Sequence, residues 1–256
     1  MATQHKLKPA ERLIAALDVG SLDKAAQVVK TLVPAGVTHF KVGLGLFTLA
    51  GPAAIEMVHR NGGKVFLDLK FHDIPSTVGR AVSAAVAQGV WMTNLHIQGG
   101  SAMMRHAVAA VQEESHRLHR EPPLLIGVTI LTSMADRDLA DLGMRKTLKD
   151  QVLYLAKLAK SAGLNGIVSS PKEATAVRWA CGEEFLIVTP GIRLGSPQDP
   201  FSNPGALPAR DDQQRTATPA QTVQAGADYL VVGRALLETA DPAQTAQSII
   251  RELEGA

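Results

Sequence analysis

Eight short runs of strand-forming residues, each followed by a stretch with helical spacing, do most to narrow the folds open to this chain. The runs are Leu13–Leu17, Thr38–Val42, Val65–Leu69, Met92–His96, Leu124–Thr129, Gly166–Ser169, Phe185–Thr189 and Tyr229–Val232. Between them apolar residues recur three and four apart, as at Ala25, Val28, Val29 and Leu32, or at Val152, Leu155, Ala156 and Ala159. That is the period of a helix with one buried face. Gly163 closes the second of these stretches, and Pro75 and Pro219 suit the first turns of two others. A strand–helix unit repeated eight times predicts an α/β chain folded as one (β/α)8 barrel, a TIM barrel. The 256 residues match the usual size of that fold. An open, doubly wound sheet is the alternative, although it normally has fewer strands.

Composition agrees with a sheet covered on both faces. Hydrophobic residues make up 46% of the chain and aromatic residues only 4%, so Ala, Val, Leu and Ile must fill the core. The net charge of +2 gives no reason to expect a nucleic-acid or membrane partner. Cys181 is the single cysteine, which rules out an intrachain disulfide and suggests a reducing compartment. It reads as a small apolar residue near a helix end. His5, Lys6 and Lys8 precede the apolar run Leu13–Leu17, but that run is too short for a signal peptide and Asp18 stops it. A soluble, cytoplasmic protein is expected.

Barrel chemistry collects where strands end, and polar residues recur there. Asp18 follows the first strand, Lys41 lies on the second, Asp68 and Lys70 close the third, and His96 ends the fourth. Thr132 follows the fifth, Arg193 the seventh, and Gly233-Arg234 the eighth. Asp68 and Lys70 are two apart on a strand, hence expected on one face with Leu69 on the other. Opposite charges there are costly to bury unless paired. A structural ion pair would satisfy that condition, but Lys41 adds a second cation at the same rim, and clustered, mutually perturbing charges are typical of active sites. Asp18 could instead cap the helix beginning near Ser21, and Asp73 could favour a helix N-terminus.

Gly233 before a helix lets backbone approach a ligand, and Arg193 reaches the same corner, which together favour a phosphate-bearing substrate. His72 and His96 read as hydrogen-bonded structural residues, since no His or Cys spacing here suits a metal. Residues 194–217 hold Pro197, Pro200, Pro204 and Pro208 and little periodicity. Such a loop inside a compact domain is expected to be a lid.

The segments ALDVG at Asp18, KVGLGLF at Lys41, FLDLKFHDIPSTV at Asp68–Val78, VTILTSM at Thr132, VTPGIR at Arg193, DQQRTATP at Gln213 and VVGRAL at Gly233-Arg234 occur in that order. Through them the chain resembles the bacterial orotidine 5′-phosphate decarboxylase family over nearly its whole length. The resemblance implies a homodimer with shared active sites, needing neither metal nor organic cofactor. It implies a charged array of Lys41, Asp68, Lys70 and, from the other subunit, Asp73, with Lys70 the proton donor to C6 of the pyrimidine. It further assigns Asp18 and Lys41 to ribose hydroxyls, Thr132 to the pyrimidine edge and Thr77 to a contact across the dimer. Gln213 (or Gln214 beside it), Arg193, Arg234 and the Gly233 backbone would hold the phosphate. Two features depart from many relatives: Ser76 replaces Asn, and the stretch from Arg193 to Gln213 is longer and richer in proline.

A related barrel enzyme, a metal-dependent sugar-phosphate decarboxylase or aldolase, would need a carboxylate where Lys41 stands. A non-catalytic phosphate-binding barrel would not need Lys70 with both carboxylates.

Overall fold

In the computed structural model the described residues are 7–195 and 217–255. Eight parallel strands close on themselves in sequence order. They are β1 (Leu13–Ala16), β2 (His39–Gly43), β3 (Lys64–Phe71), β4 (Met92–His96), β5 (Leu124–Val128), β6 (Gly166–Val168), β7 (Leu186–Pro190) and β8 (Tyr229–Val232). The single barrel expected from the strand–helix repeat is what the chain forms. Most strand limits agree with the sequence reading to within a residue. The exception is β3, which runs two residues further, through Lys70 and Phe71.

Alternation along each strand divides the core in two. Ile14, Ala16, Phe66, Met92, Ile126, Val188, Tyr229 and Val231 point inward and fill the barrel with side chains. Their neighbours Leu13, Ala15, Phe40, Leu67, Leu95, Ile167 and Leu230 point outward and pack under the helices. Both faces are dry, which is why the strands read as continuous apolar runs. Below this layer His39, Trp91 and Tyr229 close the N-terminal end, with His39 and Trp91 ring centroids 4.1 Å apart. Burial lowers the His39 pKa to about 4, helped by the charge of Lys64.

The helices begin where the sequence punctuates them. Ser21 Oγ accepts the Lys24 N–H at the start of Leu22–Leu32, and Thr147 and Thr218 cap Leu148–Ser161 and Pro219–Gln224 in the same way. Each such cap contributes about 1 kcal/mol. Pro75 opens Pro75–Ala87, and Gly163, just beyond the cap of Leu148–Ser161, takes φ +89°. The seam joins the two ends of the sequence, pairing Leu13 with Leu230 and Ile14 with Val231. Arg12 Nη1 reinforces it by donating to the carbonyls of Ala227 and Asp228, each at 3.3 Å. Among the described residues, no helix is long and apolar enough to cross a membrane. Most of the expected lid lies outside the described residues. Its two ends are held together, since Ile192 bridges Ala217 and the Arg193 N–H donates to the Ala217 carbonyl at 3.0 Å.

Candidate active site

At the C-terminal mouth the strands deliver four alternating charges to one line. Lys41 Nζ lies 3.1 Å from Asp18 Oδ1 and 3.4 Å from Asp68 Oδ2, and Lys70 Nζ lies 2.7 Å from Asp68 Oδ1. The line runs from solvent inward and out again. Asp18 keeps 60% side-chain exposure, Lys41 and Asp68 each keep 11%, and Lys70 keeps 29%. Lys41 is therefore largely used up between two carboxylates, whereas Lys70 is held by one and still faces the mouth.

Burial pushes the Asp68 carboxyl up, but the charges of Lys41 and Lys70 and hydrogen bonds from Lys70 and Asn94 outweigh it. The net pKa lies below the ordinary carboxylate value. Asp68 is thus ionised at neutral pH, and taking away one of its two cations would leave its buried charge balanced by the other alone.

Asp68 and Lys70 meet as the sequence spacing predicts, but not by simple alternation. Lys70 has φ +51°, a left-handed conformation that costs a residue with a side chain roughly 1 kcal/mol or more. The β3–β4 ladder is interrupted at the same place, between Leu67 and Phe71. Leu69 does point away, and packs against the outer core.

Asn94 is the site residue that the sequence reading passed over. It is fully buried on the inner face of β4; its Oδ1 accepts the Lys70 N–H at 2.8 Å and its Nδ2 donates to Asp68 Oδ1 at 2.7 Å. The available signal was a polar side chain two residues before His96, on the same inward face as Met92. Gly43 was missed too. A β-carbon there would lie 2.8 Å from Lys41 Nζ and 3.2 Å from Asp18 Oδ1, inside the space the ion pair uses.

Other expected residues take their places around this line. Ser21, rather than Asp18, caps the helix Leu22–Leu32, so Asp18 is an ion-pair partner of Lys41. Thr132 is buried beyond β5. Gly233 caps the short helix Arg234–Leu237, and a β-carbon on it would stand 3.5 Å from Ala16 Cβ and 3.8 Å from Asp18 Oδ2. The corner after β8 therefore adjoins the Asp18 end of the charged line. Arg193 and Arg234 are both exposed. Gln213 lies outside the described residues.

Asp73 and Thr77 stay out of the cluster within one chain. Asp73 is exposed and accepts the N–H of Ile74 at 2.6 Å, and Thr77 Oγ1 accepts from Arg80 at 3.4 Å. His72 and His96 also differ from expectation. Their rings lie 5.4 Å apart, and neither has a hydrogen-bond partner among the described residues. Burial lowers the His96 pKa, with the charges of His72 and Lys70 adding to the effect.

Comparison with known proteins agrees with the geometry. Residues 11–249 match the family model described as Orotidine 5′-phosphate decarboxylase / HUMPS family. The chain is 47% identical over 247 residues to the orotidine 5′-phosphate decarboxylase of Moorella thermoacetica, covering 95% of this chain and 92% of that one. It is 45% identical over 246 residues to that of Syntrophomonas wolfei, covering 95% and 98%. The crystal structure of orotidine 5′-phosphate decarboxylase from Lactobacillus acidophilus superposes with a TM-score of 0.80 at 33% identity, covering 94% of this chain and 98% of that one.

Proposed function

The chain belongs to the orotidine 5′-phosphate decarboxylase / HUMPS family, and from that premise we propose that it converts orotidine 5′-phosphate to uridine 5′-phosphate and CO2, with Lys70 as the acid. This makes it a carboxy-lyase of pyrimidine biosynthesis. The observation that carries the reading is the fixed, partly exposed Lys70 ammonium at the mouth, 2.7 Å from an ionised Asp68.

When the bond from C6 to the carboxylate breaks, its electron pair stays on C6, in a ring that delocalises it poorly. A preorganised ammonium stabilises that charge where it develops and needs no reorganisation to do so. Lys70 then transfers a proton to C6 and regains one from water after product leaves. Asp68 faces the departing carboxylate, so their repulsion is relieved as CO2 forms. Asp18 and Lys41 take the ribose hydroxyls and Thr132 the pyrimidine edge. Arg193, Gln213, Arg234 and the Gly233 N–H take the phosphate, with the loop 194–217 as its cover.

The same reading makes the enzyme a homodimer in which Asp73 and Thr77 serve the partner's site. Their position outside their own cluster supports this. So does the exposure of Leu44, Leu49 and Ile74, large apolar side chains on the segments just after β2 and β3.

Loss of orotidine 5′-phosphate absorbance, followed with wild-type protein and with Lys70→Ala, tests the proposal. Wild type should turn over, and the variant should keep its circular dichroism while losing at least about 10³-fold in kcat. Near-normal turnover by the variant would remove Lys70 as the acid.

A further inference from the structure

Between the pairs Leu67–Thr93 and Phe71–Leu95 the ladder advances four residues on β3 and two on β4. Asp68, Leu69 and Lys70 therefore stand against Asn94 alone. A regular ladder would satisfy this stretch with backbone groups. Here the Asn94 side chain does so, accepting the Lys70 N–H at 2.8 Å and donating to Asp68 Oδ1 at 2.7 Å. That same oxygen receives Lys70 Nζ at 2.7 Å. One neutral amide thus ties the left-handed backbone of Lys70 to the carboxylate that orients its ammonium.

We propose that Asn94 is a positioning residue for the decarboxylation, holding the Lys70 backbone and the Asp68 carboxylate as one unit so that the ammonium is fixed at C6. The inference rests on the decarboxylase reading above. Without the amide, the half-buried Lys70 N–H loses its partner and Asp68 Oδ1 keeps only Lys70 Nζ, so Lys70 can relax out of φ +51°. The groups assigned to ribose and phosphate lie on other strands, so substrate binding should change less than turnover. Asp68 and Lys70 from β3, Lys41 from β2 and His96 from β4 are the charged and titratable groups around this unit.

The test compares wild type, Asn94→Ala and Asn94→Asp on orotidine 5′-phosphate from pH 5 to 8, with thermal unfolding measured alongside. Asn94→Ala should lose about 10²-fold or more in kcat, as misplacement of a catalytic group does, with KM changed only a few-fold. Asn94→Asp should be equally impaired at pH 8, where the new carboxylate faces Asp68. It should recover relative to wild type as pH falls, because the protonated acid accepts from Lys70 and donates to Asp68 as the amide does. A kcat within twofold of wild type for Asn94→Ala, a loss confined to KM, or no relative recovery of Asn94→Asp at low pH would each overturn the positioning role. So would failure of both variants to fold, which would mark Asn94 as structural. Wild-type protein inert towards orotidine 5′-phosphate would instead overturn the activity reading and this role with it.

Discussion

Lys41 and Asp68 meet across the β2–β3 ladder, Nζ 3.4 Å from Oδ2, although the strand register pairs Asp68 with Gly43. The diagonal works because Gly43 has no side chain on the inner face. Gly43→Ala should therefore be a selective lesion. Its backbone, at φ −94°, suits any residue, and the atom crowded at 2.8 Å is the end of a flexible lysine. Thermal stability should change little, while kcat/KM falls about tenfold or more, equivalent to roughly 1.4 kcal/mol of transition-state stabilisation. A thermal scan with steady-state kinetics checks both, and unchanged kinetics would show that the Lys41 position is not critical.

The proposed shared site predicts complementation between subunits. Lys70→Ala and Asp73→Asn homodimers should each be almost inactive. Heterodimers of the two carry one site with both defects and one with neither. Equal random mixing should restore about a quarter of wild-type activity, since half the dimers are mixed and half their sites intact. A mixture that stays inactive despite demonstrated exchange would place Asp73 in its own chain's site.

Chelators should not affect turnover. Lys41 Nζ already occupies the space between Asp18 and Asp68, and a divalent cation bound there would be repelled by it. Activity that vanishes with EDTA and returns with Mg²⁺ would favour the metal-dependent sugar-phosphate chemistry.

Much of this was legible in the sequence, and what was not has a physical cause. Short runs of strand-forming residues bounded by helical stretches expose strand existence well, so the eight strands and the rim residues Asp18, Lys41, Asp68 and Lys70 could be read directly. Alternation alone could not show that Lys70 is left-handed, because its backbone N–H is bonded to Asn94, a partner 24 residues away. Asn94 itself looks like any strand-interrupting amide until β3 is placed beside it. Asp18 satisfied the rule for a helix cap, but Ser21 is nearer the helix start and took that role. The His72–His96 contact joins two separate strand ends, which no local pattern encodes.

Far from the mouth, His39 should make stability depend on pH. Folding lowers its pKa from 6.5 to about 4, so between those values the unfolded chain binds a proton that the folded chain does not. Stability is then complete above pH 6.5 and is lost as pH falls through the window. From pH 7 to pH 5 the loss should be about 2 kcal/mol. His96 and His59, both lowered by burial, act in the same direction. Denaturant titrations at the two pH values should show a smaller difference for His39→Gln, and an identical difference would exonerate His39.

The seam between β1 and β8 has a consequence for how the molecule is assembled. Asp18 comes from the first strand and Gly233 from the last, and they become neighbours only when Leu13 and Ile14 dock beside Leu230 and Val231. A nascent chain that has emerged only through β7 holds every residue of the Lys41–Asp68–Lys70–Asn94 unit but lacks Gly233 and Arg234. On the proposed reading it cannot grip the nucleotide's phosphate, so synthesis yields no partial enzyme. On the same reading, once the ring is shut, a nucleotide held by Asp18 and Gly233 bridges the first and last strands and braces the joint between them.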